Sequence, residues 1–195
     1  MERFTVHSGR AVPLRRSDID TDQIIPSDWL KRVERTGFAA GLFSEWRRQP
    51  GFVLDRPEYA GATILVAGVN FGTGSSREHA VWALQDHGFR VVISERFGDI
   101  FRGNAHKGGL LAVQLAAGDV ERLTAAVEQD PSAEVTVDLV AREIRYPDHK
   151  VAFDLDDYTR ERLLAGLDDI ALTLQHDDEI ANYERARLSW LPTAL

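Results

Sequence analysis

A chain of 195 residues with 44% hydrophobic content has room for one core, or for one core with an appendage. Its formal net charge of −8 excludes the basic footprint of a nucleic-acid binder. With no cysteine at all, it excludes disulfides, a thiol nucleophile, a thiolate zinc site and an iron–sulfur cluster held by its own thiolates, and it fits a reducing cytoplasm.

No apolar run approaches the ~18 residues of a membrane span. The start, Met1 to Val6, lacks the basic and apolar regions of an export signal. The expected setting is therefore cytoplasmic, with no membrane contact. The six histidines form no His-x-x-x-His pair, so no metal site held by this chain is predicted.

Phe4 to Pro13 alternates enough for a strand or two. Asp18, Asp20 and Asp22 follow at alternate positions. A calcium loop started at Asp18 would need Gly at its sixth position and Glu at its twelfth; these are Gln23 and Trp29, so that reading fails. A polar turn with Asx-type hydrogen bonds, ahead of Ile24-Ile25-Pro26, is expected instead. Trp29 to Arg48 is basic, aromatic and broken by Gly37 and Gly41. It reads either as a mobile cover over a site or as a surface segment that packs Trp29 and Trp46 while its arginines stay solvated. Gln49 to Gly61, rich in Pro and Gly, reads as a connecting loop.

The most informative stretch runs from Ala62 to Ala80. Thr63 to Val69 is apolar and β-branched, as in a covered strand. Gly72 and Gly74 then allow positive φ and close approach of a ligand to the backbone. Ala80, Val81, Ala83 and Leu84 fall at helical spacing, with Gly88 placed to end the helix. This spacing predicts Ser75 or Ser76 at a helix N-terminus, where free N–H groups favour an anion. Arg77 adds a guanidinium fork suited to a carboxylate or phosphate. A plain capped turn, with Ser as N-cap and Glu78 as capping-box partner, accounts for part of this pattern. It does not account for two glycines, two serines and an arginine together. No Lys precedes the serines, which excludes a P-loop; Arg77 stands where a dinucleotide fingerprint needs its third Gly. The loop suits a small anion.

Arg90 to Ser94 reads as a second buried strand, joined to the first by a right-handed βαβ crossover with parallel pairing. Phe97 to Gly109 reads as a short helix ended by glycines, and Leu110 to Leu115 as a third strand. An amphipathic helix follows over Val120 to Gln129. Val135–Val140, Arg142–Tyr146 and Lys150–Leu155 read as strands, and Thr159–Leu167 and Asp177–Leu188 as helices. The expectation is one mixed α/β domain over residues 1–195, with a core to about residue 155 and a helical tail from about residue 156.

The run Asn70-Phe-Gly-Thr-Gly-Ser-Ser-Arg-Glu-His-Ala80 resembles the signature of the swivelling domain in the aconitase superfamily. Asp20-Thr-Asp-Gln-Ile-Ile-Pro26, the segment at 30–38, Phe97 to Ala105 and Gly166 to Leu174 resemble the small-subunit family of bacterial 3-isopropylmalate dehydratases, over nearly the full length. The resemblance implies a barrel-like, three-layer β/β/α swivel domain around the parallel βαβ core. It implies a hydro-lyase half that acts in leucine biosynthesis and is active only with a large iron–sulfur subunit, the holder of a [4Fe–4S] cluster. The substrate would be a dicarboxylic hydroxyacid, 2-isopropylmalate, isomerised through 2-isopropylmaleate. Ser75 matches the family's base and Arg77 its carboxylate-binding arginine; Ser76 and Gly74 would add contacts to substrate. The segment from Trp29 to Gly37 sits where the family has its substrate-recognition loop, so Leu30 and Val33 are candidates for the isopropyl group and Lys31 or Arg32 for a carboxylate. Related hydro-lyases acting on homoaconitate or on methylmaleates, and a non-catalytic carboxylate-binding module, stay open as alternatives.

Overall fold

The computed structural model describes residues 1–31, 36–188 and 190. A seven-stranded sheet organises the chain. β1 (Val6–Leu14) is shared by two kinds of pairing. Its first five residues run antiparallel to β7 (Glu134–Asp138), and its last four run parallel to β3 (Ile64–Ala67). The burial of β1 changes at the same place: Val6 to Arg10 is exposed or half-buried, whereas Ala11 to Leu14 is buried. β5 (Val91–Ser94) and β6 (Leu111–Gln114) extend the parallel half, and β8 (Glu143–Tyr146) and β9 (His149–Ala152) extend the antiparallel half. The order is β6-β5-β3-β1-β7-β8-β9. The sheet curls, because residues just after β6 and residues at the end of β9 line one cavity.

β3 and β5 are buried throughout, as strands covered on both faces must be. α3 (Glu78–His87) carries β3 over to β5 and ends at Gly88; α4 (Asp99–Gly108) carries β5 over to β6 and ends at Gly109. The expected crossovers, glycine stops and parallel register are thus present. α5 (Ala117–Gln129) packs on β1 and β3, burying Val120, Leu123 and Val127. At the end of β5, the buried Ser94 hydroxyl donates to the Gly68 carbonyl at 2.6 Å, which ties the ends of β3 and β5 together.

Several short elements were not foreseen, among them a helix over Asp169–Leu174 at the C-terminal end. β2 (Ile19–Asp20) pairs in parallel with β4 (Phe71–Thr73) as a separate small sheet, and α1 (Thr21–Ile24) follows β2 directly. The polar turn expected here is in fact a capping box. The Asp20 side chain accepts from the Gln23 N–H at 2.8 Å, and the Gln23 side chain accepts from the Asp20 N–H at 2.9 Å. Further on, α2 (Ser44–Arg47) lies in the basic, aromatic segment, and two short 3₁₀ turns, Val53–Asp55 and Pro57–Tyr59, fall in the stretch read as loop. Trp29 and Trp46 both pack against the core, and the Arg16 guanidinium lies 4.2 Å over the Trp46 ring.

At the C-terminal end, α6 (Asp157–Ala165) is capped by Asp156 and buries Leu163, whose carbonyl accepts from the Phe4 N–H at 2.9 Å. The Met1 ammonium donates to the Gly166 carbonyl at 3.2 Å and pairs with Asp168 at 3.1 Å. α7 (Asp169–Leu174) and α8 (Asp177–Ala186) bury no residue. No helix among the described residues is long and apolar enough to cross a membrane.

His106 on α4 donates from Nε2 to the Ala112 carbonyl at 3.1 Å. Burial pushes its pKa down to about 4, outweighing the Ala112 hydrogen bond, which acts to raise it. The folded pKa lies below the ordinary value of 6.5. Stability from this residue is therefore complete above about pH 6.5 and is lost as pH falls toward 4. The loss should approach about 3 kcal/mol across that window. Urea unfolding at pH 7 and pH 5 should show the decline in native chain and a shallower one in His106→Gln.

Candidate active site

The sequence-predicted loop leaves the end of β3 through a tight corner. Asn70 and Asp18 both adopt left-handed backbone, with φ of 61° and 55°. They hold each other: the Asn70 amide donates to the Asp18 carboxylate at 2.6 Å, and the Asp18 N–H donates to the Val69 carbonyl at 2.9 Å. Asn and Asp tolerate this conformation better than other non-glycine residues. Phe71 then anchors β4 in the core, its ring edge-on to Phe101 at 5.2 Å and to Phe97 at 6.2 Å.

Gly72 is required by both conformation and space. Its φ is 74°, and a Cβ there would lie 2.3 Å from the Phe101 ring. Gly98, just before α4, presses on the Gly72 carbonyl at 2.3 Å from where a Cβ would sit. So α4 packs directly beneath the loop, and the backbone of residues 71–73 has little room to shift.

Ser75, Ser76 and Gly74 are exposed at the top of this platform. The structure corrects their expected relation to the helix. α3 begins at Glu78 with Arg77 as N-cap, in extended backbone and without a side-chain cap. Neither serine is the N-cap; Ser76 lies one residue and Ser75 two residues before it. Two contacts account for the longer loop. The Thr21 hydroxyl donates to the Ser75 carbonyl at 3.0 Å, and the Arg77 guanidinium is drawn to the Asp22 carboxylate as an ion pair. Both partners come from α1, which the β2–β4 pairing delivers to this spot.

The ion pair joins an Arg77 side chain that is 18% exposed to an Asp22 side chain that is 53% exposed. A half-solvated pair contributes roughly 0–1 kcal/mol to stability. Its larger effect is geometric: one terminal nitrogen is fixed by Asp22, which aims a planar fork whose other donors remain for a ligand. No described residue hydrogen-bonds the Ser75 hydroxyl, which faces solvent.

Among the other predicted residues, Leu30 is half-buried and Lys31 is exposed, paired with Asp28 at 3.5 Å. Arg32 and Val33 lie outside the described residues. The flanks of that segment converge on the same helix as the serines. Phe38 is buried, its N–H donates to Asp86 of α3 at 2.8 Å, and its ring meets His79 edge-on at 5.4 Å. His79 in turn lies 4.6 Å from the Trp82 ring. Thr21, Asp22 and His79 were not singled out from the sequence. The alternate aspartates were a signal for the first two, read there as a turn alone.

Similarities to known proteins accompany this geometry. Residues 1–118 match the aconitase C-terminal domain, and residues 169–194 match the C-terminal domain of the 3-isopropylmalate dehydratase small subunit. The 3-isopropylmalate dehydratase small subunits of Parafrankia sp. and Acidothermus cellulolyticus are 68% and 70% identical to this chain, each over 193 residues. Those alignments cover 99% of this chain in both cases, and 99% and 98% of the relatives. The crystal structure of 3-isopropylmalate dehydratase from Methanocaldococcus jannaschii superposes with a TM-score of 0.69 at 26% identity, covering 91% of this chain and 98% of that one.

The crowding at Gly72 gives a direct check on the platform. Gly72→Ala must adopt a disfavoured φ and displace Phe101. It should lose roughly 2–4 kcal/mol of unfolding free energy, measured by urea denaturation.

Proposed function

The chain belongs to the family of 3-isopropylmalate dehydratase small subunits, and from that premise we propose that Ser75 and Arg77 are its contribution to the hydro-lyase reaction. The reaction interconverts 2-isopropylmalate and 3-isopropylmalate through 2-isopropylmaleate, a step of leucine biosynthesis carried out in the cytoplasm. The partner is a large subunit bearing a [4Fe–4S] cluster. This chain has no thiolate to offer a cluster, and its described residues include no group of three or more His, Cys, Asp or Glu able to hold a metal. The cluster, when bound in the partner, supplies Lewis acidity toward the substrate hydroxyl.

What this chain does is proton and carboxylate chemistry. In the dehydration direction, the Ser75 oxygen, as alkoxide, takes the proton from the carbon beside a substrate carboxylate. The electron pair of that C–H bond becomes the new double bond, and the C–O bond on the neighbouring carbon breaks with its electron pair on oxygen. That hydroxide becomes water by taking a second proton, from solvent or an acid of the large subunit and not from Ser75. In the hydration direction Ser75 returns the proton. Arg77 holds the carboxylate by its free guanidinium edge and stabilises the charged form of Ser75. Ser76 and the Gly74 backbone complete the contact. The family resemblance assigns Leu30 and Val33 to the isopropyl group and Lys31 or Arg32 to a second carboxylate; the Lys31 pair with Asp28 is a surface one that a ligand displaces cheaply.

One observation carries this reading: an exposed serine hydroxyl, without a hydrogen-bond partner among the described residues, sits two residues from a guanidinium that an aspartate from another element has already aimed. A capped turn built for stability would have spent that serine on the helix.

The complex, assembled anaerobically with its large subunit, should turn over 2-isopropylmalate as followed by unsaturated-acid absorbance; neither protein by itself should. Ser75→Ala should lower kcat by roughly 10²–10⁴-fold. Turnover near wild type would remove Ser75 from the role of base. Asp22→Asn leaves Arg77 charged but unaimed. It should raise KM and lower kcat together, by roughly tenfold in kcat/KM, while thermal stability changes little.

A further inference from the structure

A cavity of about 710 Å³ opens at the carboxyl ends of β3, β5 and β6, the edge where open α/β sheets receive ligands. It is separate from the catalytic loop, since no residue from Asn70 to Arg77 is among those lining it. Four of its charged groups, the exposed Arg96 and Asp154 and the half-buried Glu95 and Arg102, have no partner among the described residues. Arg96 and Arg102 face it, yet neither side chain has an ion-pair or hydrogen-bond partner among the described residues. Nε of Arg102 is buried from solvent, a donor whose desolvation no described residue offsets. Glu95 and Asp154 face the same space and are likewise unpaired among the described residues. Asp119 is not in that position, because Arg122 already neutralises it.

Two unpaired cations and two unpaired carboxylates therefore share one crevice without pairing with each other. An anion alone would satisfy the arginines and be repelled by the acids; a cation alone would do the reverse. The lining suits a molecule that carries both charges. Val69, Leu115 and Phe153 supply apolar wall between the polar groups. We propose that this crevice binds a small zwitterion, an α-amino acid with an apolar side chain: its carboxylate meets the guanidinium groups of Arg96 and Arg102, its ammonium meets Glu95 or Asp154, and its side chain lies on Phe153 and Leu115. Bidentate contact through the terminal guanidinium nitrogens fixes the carboxylate end. The placement gives such a ligand a hold on α4, the helix that packs beneath Gly72.

Calorimetric titration of the full chain with leucine tests this, with isocaproate (the same skeleton without the ammonium group) and isoamylamine (without the carboxylate) as controls. Leucine should bind saturably, and both analogues at least about tenfold more weakly. Arg102→Gln and Asp154→Asn should each weaken leucine binding by roughly tenfold. Asp154 is exposed, so its variant carries the test should Arg102→Gln fail to fold by circular dichroism. Ser75→Ala should leave the binding unchanged. The site is overturned by no saturable heat, by isocaproate or isoamylamine binding as tightly as leucine, by wild-type affinity in the folded variants, or by loss of binding in Ser75→Ala. None of these outcomes bears on Ser75 as the base, because the titration involves no turnover.

Discussion

The parallel pairing of Ile19–Asp20 with Phe71–Thr73 is what the site is built on. Two strands of two and three residues would not hold together in water. They hold here because each is anchored from behind: Ile19, Ile24 and Ile25 are fully buried on one side, and Phe71 is locked among Phe97 and Phe101 on the other. Once the strands are in register, α1 follows β2 without a linker, and its first two residues reach the serine loop. Thr21 takes the Ser75 carbonyl and Asp22 takes the Arg77 guanidinium. Two segments more than fifty residues apart thus set the position of a three-residue motif to within hydrogen-bond geometry.

That arrangement decides which electrostatic effect matters at Ser75. A helix N-terminus carries about half a unit charge, and its influence fades within the first turn. α3 starts at Glu78, and its amide donors begin beyond the serine pair. Arg77 brings a guanidinium on the residue that ends the loop, two positions from Ser75, its charge partly offset by the Asp22 carboxylate. What it adds there is a set of directed donors rather than a net unit charge. Asp22 makes this usable. Unpaired, a half-buried arginine would spread over many rotamers; tethered through one nitrogen, it presents the same edge each time.

The parallel half of the sheet was legible because its signals are local and redundant. Ile64–Ala67 and Val91–Ser94 are apolar and β-branched, and Gly88 and Gly109 punctuate the helices between them. The β2–β4 sheet was not legible. Ile19-Asp20 is too short for any periodicity, and its partner lies in a stretch dominated by glycine. Its pairing is a tertiary fact set by the burial of Phe71 and Ile19. The helix boundary after the serines was misplaced for the same reason. Ser is the better N-cap by propensity, but Thr21 and Asp22, distant in sequence, hold the loop extended through Arg77. In the site itself, the serines and the arginine could be read from the motif; the aspartate that aims the arginine could be read only as one of three alternating acids.

The exposure of Ser75 sets a limit on what this chain can do by itself. Two unit charges about 4 Å apart attract by ~1 kcal/mol in bulk water and by about 4 kcal/mol at the effective dielectric of a partly enclosed protein site. In the proposed roles, with the loop open to solvent, Arg77 would stabilise a serine alkoxide only weakly, since water screens the charge and competes for the same oxygen. A surface that closes over Gly74–Ser76 raises that stabilisation severalfold without moving any residue of this chain, and it excludes the competing water. In the proposed roles, the catalytic strength of the pair is thus conferred at assembly. The platform beneath it, from Asp22 through Phe71 to Phe101, keeps the geometry ready until the partner arrives.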